Sequence, residues 1–327
     1  MKAAAESTEI KSLTRLNEHG PDDLFICCAS FEERCLSSAA KMGMDFLAKF
    51  AVIFAVEEPL YKKQVEQNMF RLQTALRKKT TEGIFVISCQ RENPLEGINQ
   101  LEDVLRQCKL QTDGGPYITV DISGFTKIYL LELLHYLVID KNLGIPRLLH
   151  TTQRYLPTKL TRGIEQVTTI PNFFGSPSLE KKTALVLFLG FEPERALAIW
   201  KQFNPAKTIA LITNPPRYGN LDYLKYAKQN NADLLSQASV EVRDIAADNP
   251  YDVKNVLKAI HEETKDKFNM VIGPFGTKPQ VIGVFLFYLE HREVQVVYSF
   301  PAAYTRSYLR RQPGSTLLLP VTSEATV

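Results

Sequence analysis

No stretch of the 327-residue chain reaches the ~18 uninterrupted apolar residues that a membrane-spanning helix needs. The most apolar helical segment, 281–289, stops at Glu290-His291. The amino terminus, MKAAAESTEIKSLTRLNEHGPDD, lacks the apolar core of a secretory signal. Charge of one sign is also missing: the formal net charge is +3, too small for a protein that grips nucleic acid through its phosphates regardless of sequence. Cysteine is sparse. Cys27, Cys28, Cys35, Cys89 and Cys108 all fall in the first half, without C-x-x-C spacing and without a nearby His pair. An odd number of thiols in apolar surroundings fits a reducing compartment and argues against a disulfide framework or a metal site. No H-E-x-x-H, G-x-S-x-G, Walker A or G-x-G-x-x-G pattern occurs. The five histidines are scattered, and only His150, near a strand end, is a site candidate. These absences predict a cytoplasmic protein with no membrane segment, no metal, no cofactor and no sequence-specific DNA binding.

What is present is a pattern stated twice. Residues 117–137, YITVDISGFTKIYLLELLHYL, read as a buried strand, a polar turn and an apolar helix. Residues 269–290, NMVIGPFGTKPQVIGVFLFYLE, have the same order, with Pro279 in the first helical turn. Both place Thr-Lys at the strand-to-helix corner, where open α/β folds bind ligands. A lysine there opposes the helix dipole at a cost of about 0.3–1 kcal/mol. Two lysines in equivalent corners suggest an anion that sits with them; the plainer alternative is that both side chains reach past the corner into solvent.

The rest of the chain repeats around these corners. A strand at 24–29 leads into Ser30-Phe31-Glu32-Glu33-Arg34, and a strand at 185–189 leads into Gly190-Phe191-Glu192-Pro193-Glu194-Arg195. Strands at 50–56 and 208–213 follow, then helices opened by Asn93-Pro94 and Asn249-Pro250, and strands at 147–151 and 295–300. This alternation predicts an α/β fold of two tandem Rossmann-like, doubly wound parallel-sheet domains arising from an internal duplication. The expected boundaries are an N-terminal extension over 1–22, a first domain over 23–165, a linker rich in Pro, Gly and Ser over 166–183, and a second domain over 184–327. Phe173 and Phe174 are expected to pin the linker to one domain.

At each switch point the corners after the first and fourth strands should meet. In the first domain they bring Ser30, Glu32 and Arg34 to Ser123, Thr126 and Lys127, with Arg154 beyond the fifth strand. In the second they bring Glu192 and Arg195 to Thr277 and Lys278. Hydroxyls, helix-end N–H groups and cations make a phosphate cradle. The plainer reading makes Ser30-x-x-Glu33 a capping box and leaves Glu33-Arg34 and Glu194-Arg195 as surface ion pairs. For an enzyme, Glu32 and Asp121 would be the catalytic carboxylates. Asp121 is equally placed to cap a turn.

The corner Ser123-Gly124-Phe125-Thr126-Lys127, with Pro274-Phe275-Gly276-Thr277-Lys278, resembles the T-G-G-T-K corner of CARF domains. Phe125 stands where that family has a glycine. A single-chain pair of such domains is similar to the SAVED sensors of prokaryotic defence systems. The resemblance implies a cytosolic sensor that binds a nucleotide or cyclic oligonucleotide second messenger between its two domains. Ser30, Arg34, Ser123, Thr126, Lys127, Arg154, Arg195, Thr277 and Lys278 would hold the ligand. It also implies a separate effector protein, because no effector segment is expected in the chain. Two alternatives stay open: a ring nuclease or other nucleotide- or ribose-acting hydrolase using Glu32 and Asp121, and a non-catalytic scaffold subunit of a defence complex.

Overall fold

The computed structural model of the protein describes residues 6–16, 20–110, 115–153, 159–213, 222–305 and 312–321. In chain order the elements are β1 (Thr8–Glu9), β2 (Asp22–Ala29), α1 (Ser37–Ala40), β3 (Ala48–Val56), α2 (Lys62–Leu76), β4 (Thr80–Cys89), α3 (Pro94–Cys108), β5 (Ile118–Asp121), α4 (Lys127–Leu134), β6 (Arg147–Gln153) and β7 (Thr161–Thr169). They continue as β8 (Lys182–Leu189), α5 (Pro193–Phe203), β9 (Lys207–Thr213), α6 (Asp222–Asn230), α7 (Ala232–Leu235), β10 (Val240–Ile245), α8 (Pro250–Thr264), β11 (Phe268–Gly273), α9 (Lys278–Tyr288), β12 (Gln295–Tyr304) and β13 (Pro313–Leu318).

The chain divides into two compact units. The first comprises Glu6–Arg154 and Arg311–Val327, and the second comprises Tyr155–Arg310 and Met1–Ala5. The first unit carries a seven-stranded sheet in the order β1-β13-β6-β5-β2-β3-β4, the second a six-stranded sheet in the order β10-β9-β8-β11-β12-β7. The five strands β2 to β6 run parallel, as do β8 to β12. In each unit the first parallel strand lies in the middle and the succession reverses beside it, between β2 and β5 and between β8 and β11. This is the doubly wound arrangement that the alternation of strands and helices predicts.

The expected boundaries are corrected. Residues 161–169, assigned to the end of the first domain and the linker, form β7 and pair antiparallel with β12 of the second unit. Residues 313–318, assigned to the second domain, form β13 and pair antiparallel with β6 of the first. The amino-terminal extension is not a separate arm either: β1 pairs with β13, and Asp22 and Asp23 already belong to β2. A strand pattern shows which side of a strand is buried but not which sheet receives it. Pairings this distant are therefore invisible to local reading.

Local chemistry explains most of the elements. β2 is buried along its whole length, as a central strand covered on both faces must be. The helices after the third strands both start at Asn-Pro: Asn93 Oδ1 accepts from Glu96 N at 3.4 Å and Asn249 Oδ1 from Tyr251 N at 2.9 Å. α4 and α9 are apolar all round and buried, matching their sequence. Phe173 is buried and packs on Tyr288 at 4.4 Å, so the segment before β8 is fixed to the second unit, while Phe174 is exposed. After β2 the expected helix is only a 3-10 turn, Glu33–Leu36, and the single turn α1, whereas α5 after β8 runs for 11 residues. Pro193, the first residue of α5, is already set for a helix, and the first unit has no counterpart.

Candidate functional site

The corner after β2 is tied together by internal hydrogen bonds. Ser30 Oγ accepts from Glu32 N at 3.3 Å, and Ser30 O accepts from Asn68 Nδ2 of α2 at 2.8 Å. The expected capping box with Glu33 does not form, because Ser30 turns its hydroxyl to the nearer amide. Glu32, 8% exposed, accepts from Arg34 Nη2 at 2.9 Å through Oε1 and from Gln153 Nε2 through Oε2. Arg34 thus pairs with Glu32 inside the corner, not with Glu33 on the surface. Cys35 lies behind this pair, and burial, with Asp121 and Glu32 nearby, pushes its thiol up to about 12. A thiol that reluctant to ionise is packing and not a nucleophile. Further along the same sheet edge, Arg91 Nη1 meets Glu58 Oε2 at 3.4 Å. Burial raises the Glu58 carboxyl, and Arg91 offsets only part of that.

The corner after β5 lies beside it at the switch point. Asp121, at the end of β5, accepts from Ser38 Oγ of α1 and from Ser123 N at 2.8 Å. Ser123 Oγ in turn accepts from Thr151 N of β6 at 2.7 Å. Asp121 and Ser123 therefore hold β5, β6 and α1 together, and the turn-capping reading of Asp121 describes its contacts. Gly124 is required for the same reason: a Cβ there would overlap the Cys28 carbonyl of β2. The loop after β5 lies directly on the β2 backbone.

Thr126 is the N-cap residue of α4, extended at φ −72° and ψ 161°, and Lys127 is the first helical residue. No side chain caps α4, and the Thr126 Oγ1 atom is buried with no hydrogen-bond partner. Arg154 lies outside the described residues. His150 is buried in β6.

The second unit builds the same two corners with a different outcome. Asn231 Nδ2 donates to Gly190 O at 2.9 Å, matching the Asn68 bond to Ser30 O. Arg195 donates from Nη1 to Glu192 Oε2 at 2.9 Å and from Nε to Ser299 O at 2.7 Å. It is 2% exposed and packs on the rings of both Phe275 (4.8 Å) and Tyr298 (4.7 Å). Burial works against its charge, but Tyr298 and Glu192 more than offset that and raise its pKa. Arg195 is thus enclosed in the core of its unit, which corrects its assignment to an open cradle. Glu194 points elsewhere, to Lys159 and to Gly163 N.

At the head of α9 the Thr277 hydroxyl accepts from Gln280 N at 3.4 Å, while Gln280 Oε1 accepts from Thr277 N at 2.8 Å. This is a complete capping box. The Thr277 hydroxyl also donates to Ala247 O, and Gln280 Nε2 to Ala246 O at 2.7 Å. Lys278, 8% exposed, is buried beneath this network. Thr277 and Lys278 are thus placed at the helix start as expected, but the helix end is closed by its own side chains.

The residues that sequence reasoning missed are the ties: Asn68, Asn231, Gln153, Ser38 and Gln280. Only Gln280 had a legible signal, the Thr277-x-x-Gln280 spacing of a capping box; the equivalent position in the first unit is Tyr129.

Compared with known families and with curated proteins, the chain matches none. Two solved structures align over most of it. One, the cytoplasmic domain of a prokaryotic cation chloride cotransporter, is 7% identical with a TM-score of 0.27, covering 86% of this chain and 96% of that one. The other, an N-terminal ketoreductase from a macrolactin assembly line, is 11% identical with a TM-score of 0.27, covering 89% and 72%. Likeness at that level carries no argument about ligand or activity. No helix among the described residues is long and apolar enough to cross a membrane.

Proposed function

We propose that the protein is a nucleotide sensor of the CARF-like kind. The first unit takes a phosphate of a nucleotide or cyclic oligonucleotide at the amino end of α4, and a separate effector of anti-phage defence reads the event. The observation that carries this reading is the open head of α4. It lies at the switch point, it has no side-chain cap, and the Thr126 hydroxyl beside it has no partner. Backbone N–H groups at a helix start, a free hydroxyl and the Lys127 ammonium suit a phosphate oxygen. Ser30, Arg34 and Ser123 then act behind the ligand by shaping the corner, since each is already engaged within it. The binding reading is preferred to the hydrolase because both candidate carboxylates are occupied: Glu32 by Arg34 and Gln153, Asp121 by Ser38 and Ser123.

A thermal-shift screen of the whole chain against mononucleotides, linear dinucleotides and cyclic oligonucleotides tests the proposal. A ligand at a hundred times its dissociation constant adds about 2.7 kcal/mol. The expected result is a shift with at least one phosphate-bearing member, lost in Lys127→Ala and Thr126→Ala and kept in Thr277→Ala. No shift with any member of the panel overturns it.

A further inference from the structure

Among the described residues one cluster has the composition of a metal site, and it lies far from the corners. His261 is in the last turn of α8, His291 follows the end of α9, and Glu293 precedes β12. These are the places where a right-handed crossover delivers the chain to the amino-terminal edge of the sheet, opposite the edge that carries the corners. His261 Nε2 lies 3.0 Å from Glu293 Oε1, and His291 Nδ1 lies 3.2 Å from the same oxygen. All three donor atoms lie within 4.8 Å of one another. Ligands about 2.0–2.2 Å from a tetrahedral zinc are themselves about 3.4 Å apart, close to the two measured separations.

The surroundings hold this geometry in place. The imidazole rings of His261 and His291 are 4.3 Å apart, and Phe287 packs on both, at 5.9 Å and 4.6 Å. Glu293 is fixed at its backbone: its carbonyl accepts from Ser176 N at 3.0 Å, and a Cβ on Gly175, at φ +65°, would overlap that carbonyl. His261 in the last turn of α8 and His291 just after α9 both lie at helix carboxyl ends, where the dipole favours a cation.

The hydrogen bonds within the cluster leave one atom unexplained. If His261 Nε2–H donates to Glu293, then Nδ1 carries a lone pair, and that atom is buried with no partner on a residue 8% exposed. Glu262 Oε1 lies 3.9 Å away, an acceptor like Nδ1 itself. The opposite tautomer resolves the conflict. With Nε2 deprotonated and turned to a metal, Nδ1–H faces the Glu262 carboxylate, the orienting arrangement usual behind a metal-bound histidine.

We infer that His261, His291 and Glu293 bind one divalent transition-metal ion of the zinc class, leaving a coordination position for water, and that Glu262 orients His261. Two nitrogens and a carboxylate oxygen suit Zn2+ and its neighbours better than Mg2+ or Ca2+. The ion joins the end of α8 to the segment entering β12 and steadies the second unit.

The test uses the full chain freed of metal with EDTA and titrated with Co2+. The expected result is one equivalent giving the visible absorption of low-coordinate Co2+, displaced by Zn2+, with a rise in melting temperature on adding either ion. Glu293→Gln and His291→Asn, both at partly exposed positions, keep the metal-free melting temperature and lose the band. Glu262→Gln weakens affinity about 10–100-fold. His261→Ala is not used, since burial makes its folding uncertain. No band with Co2+ in millimolar excess overturns the inference, and so does a band that survives unchanged in Glu293→Gln and His291→Asn.

Discussion

At the heads of α4 and α9 the same dipeptide adopts nearly the same backbone, φ −72° and ψ 161° at Thr126 and φ −74° and ψ 165° at Thr277. Yet one helix start is closed by a capping box and the other is not. The Thr-Lys pair sets the direction in which the helix leaves the strand. The residue three places after the threonine decides what is left over: Gln280 closes α9, and Tyr129 cannot close α4 because its hydroxyl bonds Gln90 O and Asn93 O instead. The corners after β2 and β8 diverge in the same way. Each joins a Glu to an Arg at 2.9 Å, but Arg195 is buried against two rings while Arg34 stays at the rim, with its side chain 12% exposed. The shared Thr-Lys corner thus serves both scaffolds, and its neighbours decide whether the helix start is capped.

Substitutions can break this comparison. The largest expected effect is Arg195→Ala, which removes the cation from a buried Glu192 and the bond to Ser299 O, and should cost about 3–5 kcal/mol in a urea titration. Arg34→Ala should cost only about 1–2 kcal/mol, because Gln153 remains on Glu32. Equal losses would mean that the two pairs are equally enclosed. Gly124→Ala drives a Cβ into the Cys28 carbonyl and should cost about 1–3 kcal/mol, and Gly276→Ala, which pushes the Gln280 side chain out of its capping box, should cost about as much. Thr277→Ala should lose about 1 kcal/mol as a broken cap, and Thr126→Ala should stay within about 0.5 kcal/mol, since its hydroxyl caps nothing. A Thr126→Ala loss as large as that of Thr277→Ala would show that the two helix starts are equally closed.

The smallest effect is a pH dependence of opposite sign in two parts of the molecule. Burial raises the Asp22 carboxyl of β2 above 3.8, against the pull of Arg147, so Asp22 binds its proton more tightly folded than unfolded. Its contribution to stability therefore grows as the pH falls through the raised value. Glu241 of β10 and Glu263 of α8 are held below 4.5, chiefly by hydrogen bonds from Arg243, so their contribution is present above 4.5 and lost as the pH falls through the lowered values. Amide exchange on moving from pH 6 to pH 4, corrected for intrinsic rates, should show protection on β2 rising relative to β10. The reverse order would reverse the assignment of these charges.

The sequence revealed the fold where its cause is local. Buried strands read as apolar runs, Asn93-Pro94 and Asn249-Pro250 read as helix starts, and the Thr-Lys corners fell where expected. The site was half legible. Thr126 and Lys127 could be placed at a helix start, but that Asp121 and Ser123 would be spent on Ser38 and Thr151 depends on contacts 83 and 28 residues away. Arg34 and Arg195 look alike in sequence, and the deeper burial of Arg195 depends on Phe275 and Tyr298, which only the folded sheet brings near. His261 shares a site with His291 and Glu293 for the same reason: two helix ends meet there.

The placement of β7 and β13 also sets an order of events for a chain made from its amino terminus. β2 to β6 are complete once residue 153 has been made, yet one side of β6 has no strand to pair with until residues 313–318 exist. Meanwhile β7 is made before β12, its only partner among the described residues. From residue 169 to residue 295 of its synthesis the protein therefore carries an open sheet edge and an unplaced strand, the features that recruit other chains. A fragment cut at residue 165 would hold that state permanently.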